Sequence, residues 1–309
     1  MASNGEGFSE AQVIARLQEI FASADPRISI GIGDDAAVVT AGGSQVLTTD
    51  MAVEGVHFRI DWSSAFEIGR KVAAANTADV LAMSAKPDFL LVAVSLTGHE
   101  SMEWISELAH GIKFEADLAG AHIVGGDLSR ADQVVISITA IGSTTKAISR
   151  SGAKPGDGIY LSSLTGWSAA GLELIGSGFK GRNEIADKAL SEFKSPTIDY
   201  GFDATTASAL CDVSDALIIQ AKQMADSSKV CFKFDLTKIE ASPEFKELNS
   251  LATQLNSNVW SWVFAGGEDH ALLATGADLP GLLIGEVVAG AGLQNLPAGV
   301  ETSAWKHFS

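Results

Sequence analysis

The longest apolar runs in the sequence are residues 89–96 and 134–141. Each is less than half as long as a helix that crosses a bilayer, so we expect both to be buried β-strands. Residues 102–119 carry a helical pattern, and an alanine-rich helix is predicted over residues 66–85, ending before Pro87. Strands that alternate with helices favour an α/β or α+β fold.

The length of the chain predicts two domains. With 309 residues it exceeds one usual domain, and 46% hydrophobic residues with 31 glycines are typical of a compact α/β or α+β protein. Residues 149–157 are rich in glycine, proline and charged side chains, which indicates a turn-rich boundary. We therefore expect an N-terminal domain over residues 1–148 and a C-terminal domain over residues 149–309.

The charge of the chain limits its partners. A formal net charge of −17 repels nucleic acid and an anionic membrane surface, so neither is expected as a partner. No basic segment followed by an apolar run marks a signal peptide. The two cysteines, Cys211 and Cys231, are too few for a disulfide framework and are expected to be buried. A cytoplasmic protein is the expectation.

Glycine stands beside aspartate or glutamate at the ends of several predicted elements. Asp50 follows a predicted strand over residues 45–49, and a strand that begins at residues 123–124 is broken by the sequence Gly-Gly-Asp. A helix is predicted over residues 204–210, with an acidic loop over residues 211–215. Glycine lets backbone amides approach a phosphate, and carboxylates are natural Mg²⁺ ligands. The recurrence of the pattern predicts a metal-bridged polyphosphate site.

Phosphoryl transfer would need an uncommon scaffold here, because the chain has neither a Walker A sequence nor a protein-kinase catalytic loop. A set of motifs nevertheless follows in a distinctive order. They are GIGDD (31–35), TTD (48–50), EGVHF (54–58), NTAD (76–79), VGGD (124–127), RSGAKPGD (150–157), SAAGL (168–172), DVSD (212–215), GGED (266–269) and WKHF (305–308). On these residues the chain resembles the thiamine-monophosphate kinase family of the AIR-synthetase-like superfamily.

The resemblance implies three sets of site residues. Those that correspond to Mg²⁺ ligands are Asp35, Thr48, Thr49, Asp50, Asp79, Asp127, Asp212 and Asp215. Those that correspond to ATP contacts are Asp35, Gly126, Asp127, Arg150 and Ser214. Those that correspond to contacts with the thiamine phosphate are His57, Glu268 and Trp305.

The resemblance also implies a fold and a reaction. The expected architecture is a two-domain α/β (α+β) AIR-synthetase-like fold, whose N-terminal domain binds ATP and Mg²⁺ and forms a barrel across a homodimer. The expected reaction is direct in-line transfer of the γ-phosphoryl group of ATP to thiamine monophosphate. No general base is expected, because the attacking phosphate oxygen is already ionised at neutral pH. Repulsion between two anions opposes the reaction, and bridging Mg²⁺ ions reduce it.

The chain departs from the family pattern after two of the acidic motifs. Ala216 follows Asp215 where the family usually has glycine, and Gln220 stands where an aspartate is frequent. If the usual glycine takes a positive φ, alanine strains that turn. His270 and Ala271 replace the commoner Tyr-Glu pair after the sequence Gly-Gly-Glu-Asp.

Two other functions remain alternatives. One is another ATP-using enzyme of the superfamily, although the sequence has no cysteine at its end or near its start, where hydrogenase-maturation and selenophosphate-synthetase members carry reactive ones. The other is a dimeric, non-catalytic protein that binds nucleotide or thiamine phosphate, as Ala216 and Gln220 suggest. Steady ADP production from ATP, Mg²⁺ and thiamine monophosphate distinguishes an enzyme from a binding protein.

Overall fold

The computed structural model describes residues 9–300 except residues 35, 180 and 182, and its contacts divide the chain into two compact units. The N-terminal unit comprises the described residues up to Thr77 together with Lys86–Ser143. The C-terminal unit comprises Ala78–Ala85 and the described residues from Thr144 onward. The domain boundary at residues 148–149 stays a prediction, while the change of contact unit falls between Ser143 and Thr144.

The N-terminal unit is built on a four-stranded sheet with strand order β3-β6-β4-β5 and a separate β1-β2 pair. Its elements are α1 (Glu10–Ile20), β1 (Ile28–Ile30), β2 (Val38–Val39), β3 (Ser44–Val53), α2 (Ala65–Leu81), β4 (Lys86–Leu96), α3 (Met102–Ala119), β5 (His122–Arg130) and β6 (Val135–Thr144). The end of α2 belongs to the C-terminal unit.

The two long apolar runs form neighbouring strands at the centre of this sheet. β4 lies antiparallel to β6, with Phe89 opposite Ile141 and Val92 opposite Ile138, and parallel to β5. The predicted strands are therefore confirmed. The third helix has the predicted bounds, whereas α2 ends at Leu81 instead of residue 85, since Ser84 adopts a left-handed φ of 53°.

An ion-pair network ties the segment after α1 to the sheet. Arg27 is hydrogen bonded to the buried carboxyl group of Asp88, pairs with Asp25 at 2.8 Å and lies 5.0 Å above the ring of Phe89. Asp25 also contacts Nε2 of His122 at 2.9 Å. The network therefore joins the segment after α1 to the beginnings of β4 and β5.

The hydrogen bonds from Arg27 lower the pKa of Asp25 from 3.8 to about 2. As the pH falls, the carboxylate of Asp25 is therefore protonated at a higher pH in the unfolded chain than in the folded protein. The contribution of Asp25 to stability is present above about pH 4 and is lost as the pH falls from about 4 to about 2.

Replacing Arg27 with alanine should lower the free energy of unfolding by about 2 kcal/mol, because the buried Asp88 carboxyl group loses its partner. Urea denaturation at neutral pH measures the loss. Arg59→Ala is the matched control, since the Arg59–Asp61 pair is exposed and should leave the midpoint nearly unchanged. Equal effects of the two substitutions would contradict a structural role for the Arg27 network.

The C-terminal unit contains a six-stranded sheet with strand order β12-β9-β11-β7-β10-β8. Its elements are β7 (Gly158–Leu161), α4 (Trp167–Ser177), α5 (Glu184–Lys194), β8 (Ala209–Val213), α6 (Leu217–Ser228), β9 (Cys231–Phe234), α7 (Leu236–Ala241), α8 (Pro243–Leu255), α9 (Val259–Ala265), β10 (Ala271–Gly276), β11 (Leu282–Val288) and β12 (Gly292–Gln294).

The two faces of this sheet bury different clusters. One face packs against the helices, and Phe232, Phe234 and Phe264 lie at the centre of that core. The opposite face buries a smaller cluster that includes Leu210 and Leu272. Ala82 directly follows α2, belongs to this unit and packs in the smaller cluster.

The helix predicted over residues 204–210 is wrong, and the loop predicted over residues 211–215 is confirmed only at residues 214–215. Residues 209–213 form β8 instead of the end of a helix and the start of a loop. The reason is pairing with β10, in which Val213 lies opposite Ala271 and Cys211 opposite Leu273. A partner strand distant in sequence therefore outweighs the local helical tendency of an alanine-rich segment.

In the described part of the chain, the helices lack the combination of length and apolar character that crossing a membrane requires.

Candidate functional site

Asp50 lies inside a strand and not beyond its end, because β3 continues to Val53 instead of stopping at residue 49. The backbone N–H of Asp50 donates to Oδ1 of Asn76 at 3.1 Å, and Asn76 is fully buried. Beside it, the hydroxyl of Thr49 donates to the carbonyl of Ile138 at 3.1 Å. The TTD motif (48–50) is thus held on both sides by the sheet and by α2.

His57 lies in the turn after β3. Its ring atom Nδ1 accepts a hydrogen bond from the backbone N–H of Val53 at 3.0 Å, and the backbone N–H of His57 donates to the carbonyl of Val53 at 2.9 Å. In a neutral imidazole that accepts at Nδ1, the proton resides on Nε2. The half-buried ring therefore offers Nε2–H as a donor, a suitable contact for a phosphate oxygen.

Gly126 and Asp127 lie within a continuous strand, contrary to the predicted break at residues 125–127. β5 extends through them, with a register shift opposite Leu90 and Leu91. A Cβ at Gly126 would lie 1.8 Å from the carbonyl oxygen of Val92, so the close approach of the two strands requires glycine. Asp127 is exposed beside this point. A strand, and not a flexible loop, therefore fixes the backbone of Asp127.

A cavity of about 470 Å³ lies next to these residues within the N-terminal unit. The side chains of α1 and α3, among them Leu17 and Leu108, make its apolar wall. Asp34, Gly126 and Asp127 supply its polar part. A flat apolar group matches the apolar wall, and an anionic end would need cations between it and the carboxylates. Asp35, predicted to bind both metal and nucleotide, lies outside the described residues.

Two acidic turns meet at one end of the β8–β10 pair in the C-terminal unit. The N–H of Glu268 donates to the carbonyl of Ser214 at 2.6 Å, and a Cβ at Gly267 would lie 2.5 Å from the carbonyl oxygen of Asp215. The predicted residues Ser214, Asp215 and Glu268 are thus brought together. Asp212, on β8, is next to them in the chain and is buried.

Arg150 is also close to β8. The N–H of Leu210 donates to the carbonyl of Ser149 at 3.1 Å, which places the neighbouring Arg150 alongside the strand. Its guanidinium donates to Oε1 of Gln223 at 2.5 Å. Arg150, predicted to contact ATP, therefore lies alongside β8, the strand on which the DVSD motif (212–215) begins.

Asp269 has a structural role that the motif alone does not reveal. Its carboxylate accepts hydrogen bonds from the backbone N–H groups of Gly166 at 2.7 Å and Ser168 at 2.9 Å, at the start of α4. Burial raises its pKa from 3.8 to about 6, against the opposite effect of these two hydrogen bonds. The GGED motif (266–269) is therefore anchored to a helix N-terminus on one side and to β8 on the other.

The two departures after the DVSD motif fit the backbone. Ala216 has a φ of 179°, an extended conformation that any residue adopts, so the strain expected for a positive φ is absent at Ala216. Its N–H donates to Oε1 of Gln220 at 3.2 Å, at the start of α6. Gln220 thus supports the turn that follows Asp215, and neither residue disrupts it.

The N-terminal part of the chain matches a known protein family. The family model described as AIR synthase related protein, N-terminal domain, matches residues 33–144. A thiamine-monophosphate kinase of Mycobacterium tuberculosis is 39% identical over 254 residues, which cover 80% of this chain and 74% of that protein. This chain belongs to the thiamine-monophosphate kinase family.

Solved structures of thiamine-monophosphate kinases share the fold. The enzyme from Stenotrophomonas maltophilia K279a matches with a TM-score of 0.75 and 28% identity, covering 92% of this chain and 94% of that chain. AaThiL complexed with AMPPCP and TMP matches with a TM-score of 0.78 and 27% identity over 100% of both chains. The predicted AIR-synthetase-like α/β fold is confirmed, while the barrel across a homodimer stays a prediction.

The metal ligands implied by the thiamine-monophosphate kinase family are spread over both units. Thr48, Thr49, Asp50 and Asp127 belong to the N-terminal unit, and Asp79, Asp212 and Asp215 belong to the C-terminal unit. Among the described residues, no group of three or more His, Cys, Asp or Glu side chains is arranged to hold a metal ion. The donors nevertheless suit Mg²⁺, since all of them are carboxylate or hydroxyl oxygens. Trp305 lies outside the described residues.

Gly126→Ala should destabilise the protein by about 2 kcal/mol, because the new methyl group overlaps the carbonyl of Val92 and forces β5 away from β4. Urea denaturation measures the change. Gly42→Ala is the matched control, since a Cβ there meets nothing within 4 Å. Unfolding midpoints that coincide for the two variants would show that the strand contact does not constrain Gly126.

Proposed function

We propose that this protein transfers the γ-phosphoryl group of ATP to thiamine monophosphate, forming thiamine diphosphate and ADP. The observation that carries the proposal is the match to AaThiL complexed with AMPPCP and TMP, which extends over 100% of both chains. Similarity to the M. tuberculosis thiamine-monophosphate kinase over 80% of this chain supports the same reaction. The acidic motifs that we propose to bind metal and phosphate lie within the matched part of this chain.

The reaction is a single in-line displacement. An oxygen of the thiamine monophosphate phosphate forms a bond to the γ-phosphorus, and the bond from that phosphorus to the β,γ-bridging oxygen breaks as ADP leaves. The attacking oxygen is ionised at neutral pH, so the mechanism assigns no side chain as a general base. The task of the protein is to align two anions whose charges repel each other.

Mg²⁺, when bound, would neutralise the phosphate charge that opposes the approach of the two substrates. In the N-terminal unit, the residues that would hold it are Asp35, Thr48, Thr49, Asp50 and Asp127. In the C-terminal unit they are Asp79, Asp212 and Asp215. The support is the oxygen-only donor set and the anchored backbones of Asp50 and Asp127. With a net charge of −17, the protein needs such cations to accept two phosphorylated substrates.

The cavity of the N-terminal unit suits the nucleotide. Its apolar wall from α1 and α3 matches a purine ring, and Gly126 and Asp127 lie where metal-bound phosphates fit. Arg150 and Ser214 are further proposed contacts of ATP. The proposed contacts of thiamine monophosphate are His57, whose Nε2–H would donate to the phosphate, Glu268 and Trp305.

We further propose a cytoplasmic homodimer that binds neither nucleic acid nor membrane. Two buried free cysteines suit a reducing compartment. β3 is an edge strand of its sheet, and Leu47 and Met51 are 67% and 59% exposed on it. Because they are four residues apart in a strand, they share one face. An exposed apolar strand of this kind fits pairing with a second copy, as the predicted barrel requires.

Asp127→Asn should reduce the rate of ADP formation from ATP and thiamine monophosphate at least about a hundredfold, a barrier increase of roughly 2.7 kcal/mol. The melting temperature should stay unchanged, since Asp127 is exposed. Asp132→Asn is the control, an exposed aspartate of the same unit outside the proposed site. A wild-type rate for Asp127→Asn at limiting Mg²⁺ would refute the proposed metal role of Asp127. If the wild-type protein bound its substrates saturably without turnover, the proposed kinase activity would be refuted.

Replacing both Leu47 and Met51 with lysine should convert a dimer into monomers, because two charges then occupy the apolar strand face. Light scattering coupled to size-exclusion chromatography gives the mass. Leu172→Lys is the control, since Leu172 is an exposed leucine on α4 of the other unit. A dimeric mass for the double variant, or a monomeric wild type, would rule out this interface.

A further inference from the structure

The carboxylate of Asp212 is held in an unusual environment. The side chain lies on β8, on the sheet face that buries Leu210 and Leu272, and is only 9% exposed. Its Oδ2 is buried without a hydrogen-bond partner, although a buried carboxylate oxygen is normally satisfied. The ion-pair contact of this oxygen is Nδ1 of His270, at 3.5 Å.

His270 reaches this position through a strained turn. Both Glu268 and His270 have left-handed backbones, with φ values of 68° and 53°, which residues other than glycine rarely adopt. Hydrogen bonds from Glu268 N–H to Ser214 and from His270 N–H to Val213 hold the turn in place. The result is that a 7% exposed imidazole faces the Asp212 carboxylate.

We propose that His270 is a positioning residue for Asp212. With a proton on Nδ1, the imidazole 3.5 Å from Oδ2 attracts that oxygen and orients the carboxylate, so that its other oxygen is presented to a divalent cation. The inference rests on the proposed function insofar as Asp212 is a Mg²⁺ ligand. A hydrogen-bonding neighbour of a metal-bound carboxylate commonly changes metal affinity by about 10-fold to 100-fold.

A purely structural role makes a different prediction. If His270 only fills space on the sheet face, a ring of similar size without a donor is an adequate substitute. If it positions Asp212, the donor matters more than the ring. His270→Phe keeps an aromatic ring and removes the donor, whereas His270→Asn keeps a donor and tolerates the left-handed backbone.

The test is Mn²⁺ binding to the full chain in the presence of AMPPCP, followed by electron paramagnetic resonance. His270→Phe should weaken Mn²⁺ binding about tenfold or more, and His270→Asn should stay within about threefold of the wild type. Wild-type affinity for His270→Phe, or equal weakening in both variants, would overturn the proposal. Asp212→Asn is the reference for loss of the ligand itself, and its failure to weaken binding would also overturn the proposal.

A second measurement uses the unmodified protein and is independent of how the variants fold. In ¹⁵N-histidine spectra, His270 should carry a proton on Nδ1, the atom that faces Asp212. A neutral ring protonated only on Nε2 would contradict the proposed contact. Wild-type ADP formation from ATP and thiamine monophosphate is measured separately, so a failure of the His270 proposal is distinguishable from a failure of the kinase assignment.

Discussion

Backbone pairing between β8 and β10 is the interaction on which the C-terminal site depends. Val213 lies opposite Ala271, and both acidic motifs of this unit emerge at that end of the strand pair. Hydrogen bonds from Glu268 and His270 to the carbonyls of Ser214 and Val213 then hold the motifs together. Groups fixed in this way lose little conformational entropy when they bind a ligand, so the site is organised in advance.

The N-terminal unit uses the same strategy with other strands. Asp127 is fixed by a strand that passes close to β4 at Gly126, and Asp50 is fixed by the buried amide of Asn76. In the proposed function, metal ions held by these carboxylates reconcile the charge of an acidic chain with that of two phosphorylated substrates.

Much of this arrangement is predictable from the sequence. The apolar runs predict β4 and β6, the helical pattern predicts α3, and the ordered acidic motifs predict the family. Local patterns fail where a distant partner decides the structure. β8 depends on β10, and β5 continues through two glycines because β4 lies beside it. The contact between His270 and Asp212 is invisible in either motif alone, since it exists only after those strands pair.

The proposed mechanism depends on aspartates that coordinate divalent cations. A crystal structure with Mn²⁺ and AMPPCP tests this most directly, because anomalous scattering locates each ion without assumptions about the ligands. We expect anomalous peaks at about 2.1 Å from carboxylate oxygens of Asp127 and of Asp212. Ions bound elsewhere, with both carboxylates contacting only protein or water, would contradict it.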